Sequence, residues 1–203
     1  MTVKICGITN LPDAMTAVEA GADALGFIFH PKSPRYISFE NAARITRELL
    51  VGILKVGVFV NASRGDVLAA QQECQLSVLQ FHGEESPEFC AEFTGQTWKA
   101  FRVIGPETLN RLPAYRTTAW LLDAWSPAMP GGTGERFDWD LAVEAQKAGR
   151  PIILAGGLTP GNVMSAVQRV RPLGIDVSSG VEIVPGKKEP AKVKAFVAAA
   201  KAA

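Results

Sequence analysis

Short apolar runs alternate along this chain with stretches whose apolar positions return every three or four residues, as strands alternate with amphipathic helices. The runs fall at residues 3–6, 24–29, 54–60, 78–81, 97–103, 152–155 and 174–177, and one more starts at Ala119 and ends on Asp123. They are continuous rather than alternating, which predicts strands buried on both faces, in a parallel sheet covered by helices. Helix signals fill the intervals. Asn10 or Thr9 caps a first helix with Pro12 in its opening turn, and Gly21 ends it. Ser38 opens a helix to about residue 50, Ser63 one with Asp66 in its first turn, and Pro87 a short one. Further helices are predicted over 107–112, over 139–147 before Gly149, from the pair Thr159–Pro160, and over 190–201. Residues 30–37 hold too much proline to extend either neighbour.

Eight strand–helix alternations in 203 residues predict an α/β fold, a single (β/α)8 barrel with eight parallel strands, filling one domain over 1–203. A doubly wound open sheet is the runner-up. Its phosphate fingerprint is missing after the first strand, where Gly7–Ile8–Thr9 offers no G-x-G-x-x-G, and residues 180–187 have the wrong spacing for a P-loop.

Composition narrows the function. A net charge of +1 gives no basic stripe for nucleic acid, and no apolar run approaches the ~18 residues of a membrane span. The chain enters a strand at its first residues with no signal-peptide core. Cys6, Cys74 and Cys90 are scattered without metal-ligand spacing, which points to a reduced, cytoplasmic setting with no metal.

In a barrel of this kind the chemistry sits just past the C-terminal ends of the strands. That position selects Cys6, residues 30–35, His82, Asp123, Gly156, Gly157 and the run Ser178–Ser179–Gly180. Small residues after the last two strands let backbone N–H groups approach a phosphate, with helix N-termini aimed at it; simple tight turns are the plainer reading. Asp123 ends a buried strand before a glycine-dense loop, 131–134, and is either a presented acid or a turn cap. Cys6 shares the inward face of its strand with Lys4. Lys4 and the following helix N-terminus are expected to lower the thiol pKa toward a usable base, against the plainer reading of a small buried hydrophobe. Cys74 and Cys90 fall in helices and read as structural. Arg35, in a loop stiffened by Pro31 and Pro34, is placed to grip a carboxylate or simply to face solvent. His82 either donates to a substrate or tunes a neighbour, and Trp125 either stacks on a ring or covers the loop.

Taken together, Lys4–Ile5–Cys6–Gly7–Ile8–Thr9, Gln80–Phe81–His82–Gly83–Glu84, Leu121–Leu122–Asp123, Gly131–Gly132–Thr133–Gly134 with Phe137–Asp138–Trp139, Leu154–Ala155–Gly156–Gly157–Leu158 and Asp176–Val177–Ser178–Ser179–Gly180–Val181–Glu182 resemble the phosphoribosylanthranilate isomerase family of tryptophan biosynthesis. Phe81 is a small departure, where the family more often has Leu, and bears on packing. The resemblance implies an Amadori rearrangement of N-(5-phosphoribosyl)anthranilate, with Asp123 as general acid and Cys6 as general base. It implies Arg35 as partner of the anthranilate carboxylate, and Gly156, Gly157, Ser179 and Gly180 as the phosphate cradle; His82, read from its strand end, is the further candidate for contact with the substrate. The expected partner is a small phosphorylated substrate, with no nucleic acid, membrane or cofactor, and the expected assembly a monomer or homodimer. The loop 131–134 is expected to move and close on substrate. A histidine-pathway sugar-phosphate isomerase is the nearest rival and carries an Asp at the position of Cys6; a sensor barrel would lack the acid or the base.

Overall fold

Side-chain parity assigns the two faces of each strand, and the computed structural model, which describes residues 1–124 and 139–203, shows the result as a closed barrel. The eight parallel strands are β1 (Thr2–Cys6), β2 (Ala24–Ile28), β3 (Leu54–Phe59), β4 (Val78–Phe81), β5 (Gln96–Val103), β6 (Ala119–Ala124), β7 (Ile152–Ala155) and β8 (Gly174–Val177). Each pairs with the next, and β1 pairs with β8 through Thr2↔Gly174, Val3↔Ile175, Lys4↔Asp176 and Ile5↔Val177. The expected (β/α)8 architecture is therefore present, with strand bounds within one or two residues of those read from the runs. Trp125, the glycine loop 131–134 and Phe137–Asp138 lie outside the described residues.

Inward side chains such as Ala24, Val56, Val78, Trp98, Ala100, Leu121 and Ile153 fill the barrel, while outward ones form a second, larger core beneath the helices. On the outer side of β2–β4 this core is aromatic: Phe29, Phe59, Phe81, Phe89 and Phe93 follow one another at centroid separations of 5.1–6.4 Å. Phe81 is fully buried in that belt, so it contributes to packing and not to the mouth of the barrel.

Helices α1 (Leu11–Glu19), α2 (Phe39–Glu48), α3 (Arg64–Glu73) and α4 (Pro87–Ala91) start as expected, with Asn10, Ser38, Ser63 and Ser86 each accepting a hydrogen bond from the backbone three residues on. Then come α5 (Trp139–Gln146), α6 (Val163–Val170) and α7 (Pro190–Lys201). Two expectations need correction. Thr159 does not cap α6, which starts only at Val163, because Asn162 folds the preceding segment into a turn: its Oδ1 accepts from the Thr159 N–H at 2.8 Å and its Nδ2 donates to the Gly157 carbonyl at 2.9 Å. The helix at 107–112 is a 3₁₀ helix over Pro106–Ala114, with Pro113 inside it unable to donate. One feature was not anticipated. After β8 the chain forms a 3₁₀ turn (Ser179–Val181) and a short hairpin, β9 (Glu182–Val184) and β10 (Lys187–Lys188).

Beside the barrel mouth, Glu85 is buried and accepts hydrogen bonds from the Asn61 N–H at 2.8 Å, the Gly83 N–H at 2.9 Å and Lys99 Nζ at 3.1 Å. It thereby fixes the segments after β3 and β4, including the one that carries His82. Removing one partner of a buried pair leaves the other charge unpaired, which costs about 3–5 kcal/mol, whereas exposed pairs are worth less than about 1 kcal/mol. Glu85→Gln is therefore expected to lower the urea midpoint strongly. Glu40→Gln, which breaks the exposed Arg44–Glu40 pair, is expected to leave it nearly unchanged.

Candidate active site

A cavity of about 530 Å³ opens at the C-terminal ends of the strands, and Cys6, Arg35, His82, Asp123, Gly156, Gly157, Ser179 and Gly180 all line it. Every residue singled out as catalytic or substrate-binding is thus brought to one place. Ile28, Val58 and Val60 give part of the same wall an apolar surface. Among the described residues, no three His, Cys, Asp or Glu side chains gather as metal ligands would. No helix among them is long and apolar enough to cross a membrane.

Cys6 stands above a buried ion pair. Lys4 Nζ reaches Asp176 Oδ1 at 2.9 Å, with the Lys4 side chain wholly buried and that of Asp176 nearly so. Burial pulls the Lys4 ammonium down, but Asp176 and then Cys6 outweigh it and hold the group above the ordinary lysine value. The thiol goes the other way. Burial pushes Cys6 up, Lys4 draws it back, and Asp176 pushes it up again, leaving it above the ordinary thiol value. The expected lowering is therefore corrected: desolvation of a buried thiolate exceeds the pull of an ammonium that Asp176 already shares. Nor does the helix dipole help, since α1 begins only at Leu11 and the effect fades within a turn.

Across the mouth, Asp123 at the end of β6 faces His82. Gln80 Nε2 donates to His82 Nδ1 at 2.9 Å, which places the ring proton on Nε2, directed at Asp123 Oδ2 at 3.4 Å. Gln80 is fully buried, and its Oε1 has no hydrogen-bond partner among the described residues.

The two glycine loops touch. Gly156 and Gly157 adopt positive φ, and Asn162 pins the loop that follows them. Gly180 packs so closely on the Leu158 carbonyl that a Cβ would collide with it. Both loops thus bring backbone to the cavity wall at their glycines.

Arg35 is not a solvated loop residue. Its Nε donates to both carboxylate oxygens of Glu182, at 2.9 and 3.1 Å, and its Nη2 to Oε2 at 2.6 Å. Glu182 also accepts from Lys188 Nζ at 2.8 Å and from the Gly186 N–H at 3.2 Å. Burial pushes the Glu182 carboxyl up, but Arg35 and Lys188 hold it below the usual carboxylate range.

Gln80, Asp176, Glu182 and Lys188 were not put forward as site residues. Parity offered a signal for the first two, which lie two positions before His82 and Ser178 on the same strand faces. Glu182 and Lys188 belong to strands too short to show any period.

A parallel eight-stranded barrel that gathers an acid, a thiol and two glycine loops at its C-terminal mouth is a (β/α)8-barrel enzyme. Residues 3–199 match the family model described as N-(5'phosphoribosyl)anthranilate (PRA) isomerase. The chain is 58% identical to the N-(5'-phosphoribosyl)anthranilate isomerase of Geobacter sp. (strain M21), over 98% of this chain and 97% of that one. The crystal structure of phosphoribosyl anthranilate isomerase from Thermotoga maritima superposes with a TM-score of 0.94 at 46% identity, covering all of both chains. A crystal structure of phosphoribosyl anthranilate isomerase in complex with reduced 1-(o-carboxyphenylamino)-1-deoxyribulose 5-phosphate gives a TM-score of 0.91 at 43% identity, again over both whole chains. The chain belongs to the phosphoribosylanthranilate isomerase family.

The thiol's raised pKa fixes a pH dependence. Since Cys6 is pushed up, its thiolate forms only on the alkaline side of the ordinary thiol range, and alkylation by iodoacetamide should rise with pH there. Burial also pushes Cys74 and Cys90 up, each to about 11, so the difference between wild type and Cys6→Ser isolates the signal. Lys4→Met removes the one strong stabiliser of the thiolate and leaves Asp176 unpaired, so it should shift the Cys6 limb further up. A limb below the ordinary range, or one unmoved in Lys4→Met, would contradict this electrostatic account.

Proposed function

We propose that this chain catalyses the Amadori rearrangement of N-(5-phosphoribosyl)anthranilate to 1-(2-carboxyphenylamino)-1-deoxyribulose 5-phosphate in tryptophan biosynthesis, with Asp123 as general acid and Cys6 as general base. The observation that carries the reading is that Asp123 on β6 and Cys6 on β1, three strands apart around the ring, line the same cavity. A ring opening and a proton abstraction need an acid and a base on different sides of one small substrate, each within hydrogen-bond reach.

In the first step Asp123 gives its proton to the furanose ring oxygen as the C1–O bond breaks, leaving a protonated Schiff base to the anthranilate nitrogen. In the second, the Cys6 thiolate removes the C2 proton, and the electron pair moves into the iminium to give an enolamine that tautomerises to the ketone. The iminium formed first is thus the electron sink for the second step. Lys4 faces the thiolate with positive charge while it lasts. A thiolate with a raised pKa is scarcer but more basic, and general-base efficiency rises with that basicity.

Two anchors fit the ends of the substrate. Backbone groups at Gly156, Gly157, Ser179 and Gly180 take the phosphate, and Arg35 takes the carboxylate by a forked contact. His82 lies at the ring-opening end, where it bonds Asp123. The apolar wall of Ile28, Val58 and Val60 suits an aromatic ring. The enzyme works in the cytoplasm as a monomer or homodimer.

Turnover of freshly generated phosphoribosylanthranilate, followed by anthranilate fluorescence, tests the assignment. Cys6→Ser and Asp123→Asn should each lose ~10²–10⁴-fold in kcat while still binding a reduced product analogue. Full activity in either variant would return that residue to a structural role.

A further inference from the structure

Arg35 would be a poor carboxylate anchor if its long side chain were free to roam, and the fold does not leave it free. Glu182 takes the Nε edge of the guanidinium through three contacts of 2.6–3.1 Å. The opposite edge, Nη1 with the second Nη2 proton, has no hydrogen-bond partner among the described residues, and Arg35 lines the cavity. A planar guanidinium held along one edge presents the other in a fixed direction, which is the geometry a second carboxylate needs for a forked contact.

Glu182 is itself anchored. Lys188 Nζ and the Gly186 N–H bond its carboxylate, and Lys188 also donates to the carbonyls of Cys6 and Ser178. The hairpin around them is tied to α1 and the segment before it, with the Lys188 N–H on Asp13 at 2.8 Å and Thr9 Oγ1 on the Gly186 carbonyl at 2.6 Å. On the other side, a Cβ at Gly7 would strike the Arg35 Cδ at 2.7 Å, so the arginine stem lies flat on the turn after Cys6. Within the Arg35–Glu182–Lys188 set, two cations face one anion, a single net positive charge that matches one carboxylate.

We infer that Glu182 is a positioning residue that fixes Arg35 for recognition of the substrate's aromatic carboxylate, and that the β9–β10 hairpin exists in this site to hold it. This inference rests on the proposed activity and names what sets its selectivity. Two effects of Glu182 have opposite signs. If it only balanced charge, removing its negative charge would strengthen the pull of Arg35 and Lys188 on a carboxylate. If it positions Arg35, removing it weakens the grip.

The test compares phosphoribosylanthranilate with the phosphoribosylaniline analogue, which lacks the carboxylate, in wild type, Glu182→Gln and Glu182→Asp. Wild type is expected to favour the carboxylated substrate. Glu182→Gln should raise KM for that substrate roughly ten- to a hundredfold, with kcat changed far less and KM for the analogue little altered. Glu182→Asp, which keeps the charge but is one methylene shorter, should lose selectivity in the same way and serves if the glutamine variant does not fold. A lower KM for the carboxylated substrate in Glu182→Gln would overturn the positioning role. So would equal losses on both substrates, or unchanged selectivity in Glu182→Asp. Wild type that turns over neither substrate would instead sink the proposed activity itself.

Discussion

The pairing of β1 with β8 is the constraint on which everything else at the mouth depends. Closing the ring brings the C-terminal ends of all eight strands to one rim, so residues from Cys6 to Gly180 share a cavity. Gly174 has no room for a side chain at this seam, since a Cβ would meet the Thr2 carbonyl at 2.9 Å. Lys4 and Asp176 are register partners across it and form the buried ion pair beneath the thiol. Such a pair gains little net stability once desolvation is counted. Its consequence is chemical: it places a fixed ammonium beside a thiol whose charged form burial disfavours.

The cavity divides its work by strand. In the proposed reaction the late strands supply backbone for a phosphate, β6 an acid and β1 a thiol. The loop after β2 supplies a guanidinium aimed by the hairpin that follows β8. That hairpin touches the thiol strand through Lys188 and the arginine through Glu182, so one segment holds the two groups proposed as anchor and base. Preorganisation of this kind lowers the ordering cost that a free arginine would incur on binding.

Much of this was legible before the structure. Continuous apolar runs gave a covered parallel sheet, their number and the missing G-x-G-x-x-G gave the barrel over the open sheet, and strand ends then gave Cys6, His82, Asp123 and the glycines. The start of α6 was misread because Thr159–Pro160 is a sound local signal that Asn162 overrides through contacts the pattern does not encode. The direction of the Cys6 shift was misread because burial and the sharing of Lys4 with Asp176 are tertiary facts. Gln80 and Asp176 could have been found by counting twos back from His82 and Ser178. Glu182 could not, since its partner Arg35 lies 147 positions away and neither strand of the hairpin is long enough to show a period.

The most direct test of two separate steps assigned to two residues is a deuterium isotope effect with substrate labelled at C2 of the ribose. Cys6→Ser should show a full primary effect on kcat, because proton abstraction becomes rate-limiting, while Asp123→Asn should show almost none, because ring opening limits it instead. Equal isotope effects in the two variants would contradict the division of labour between the acid and the thiol.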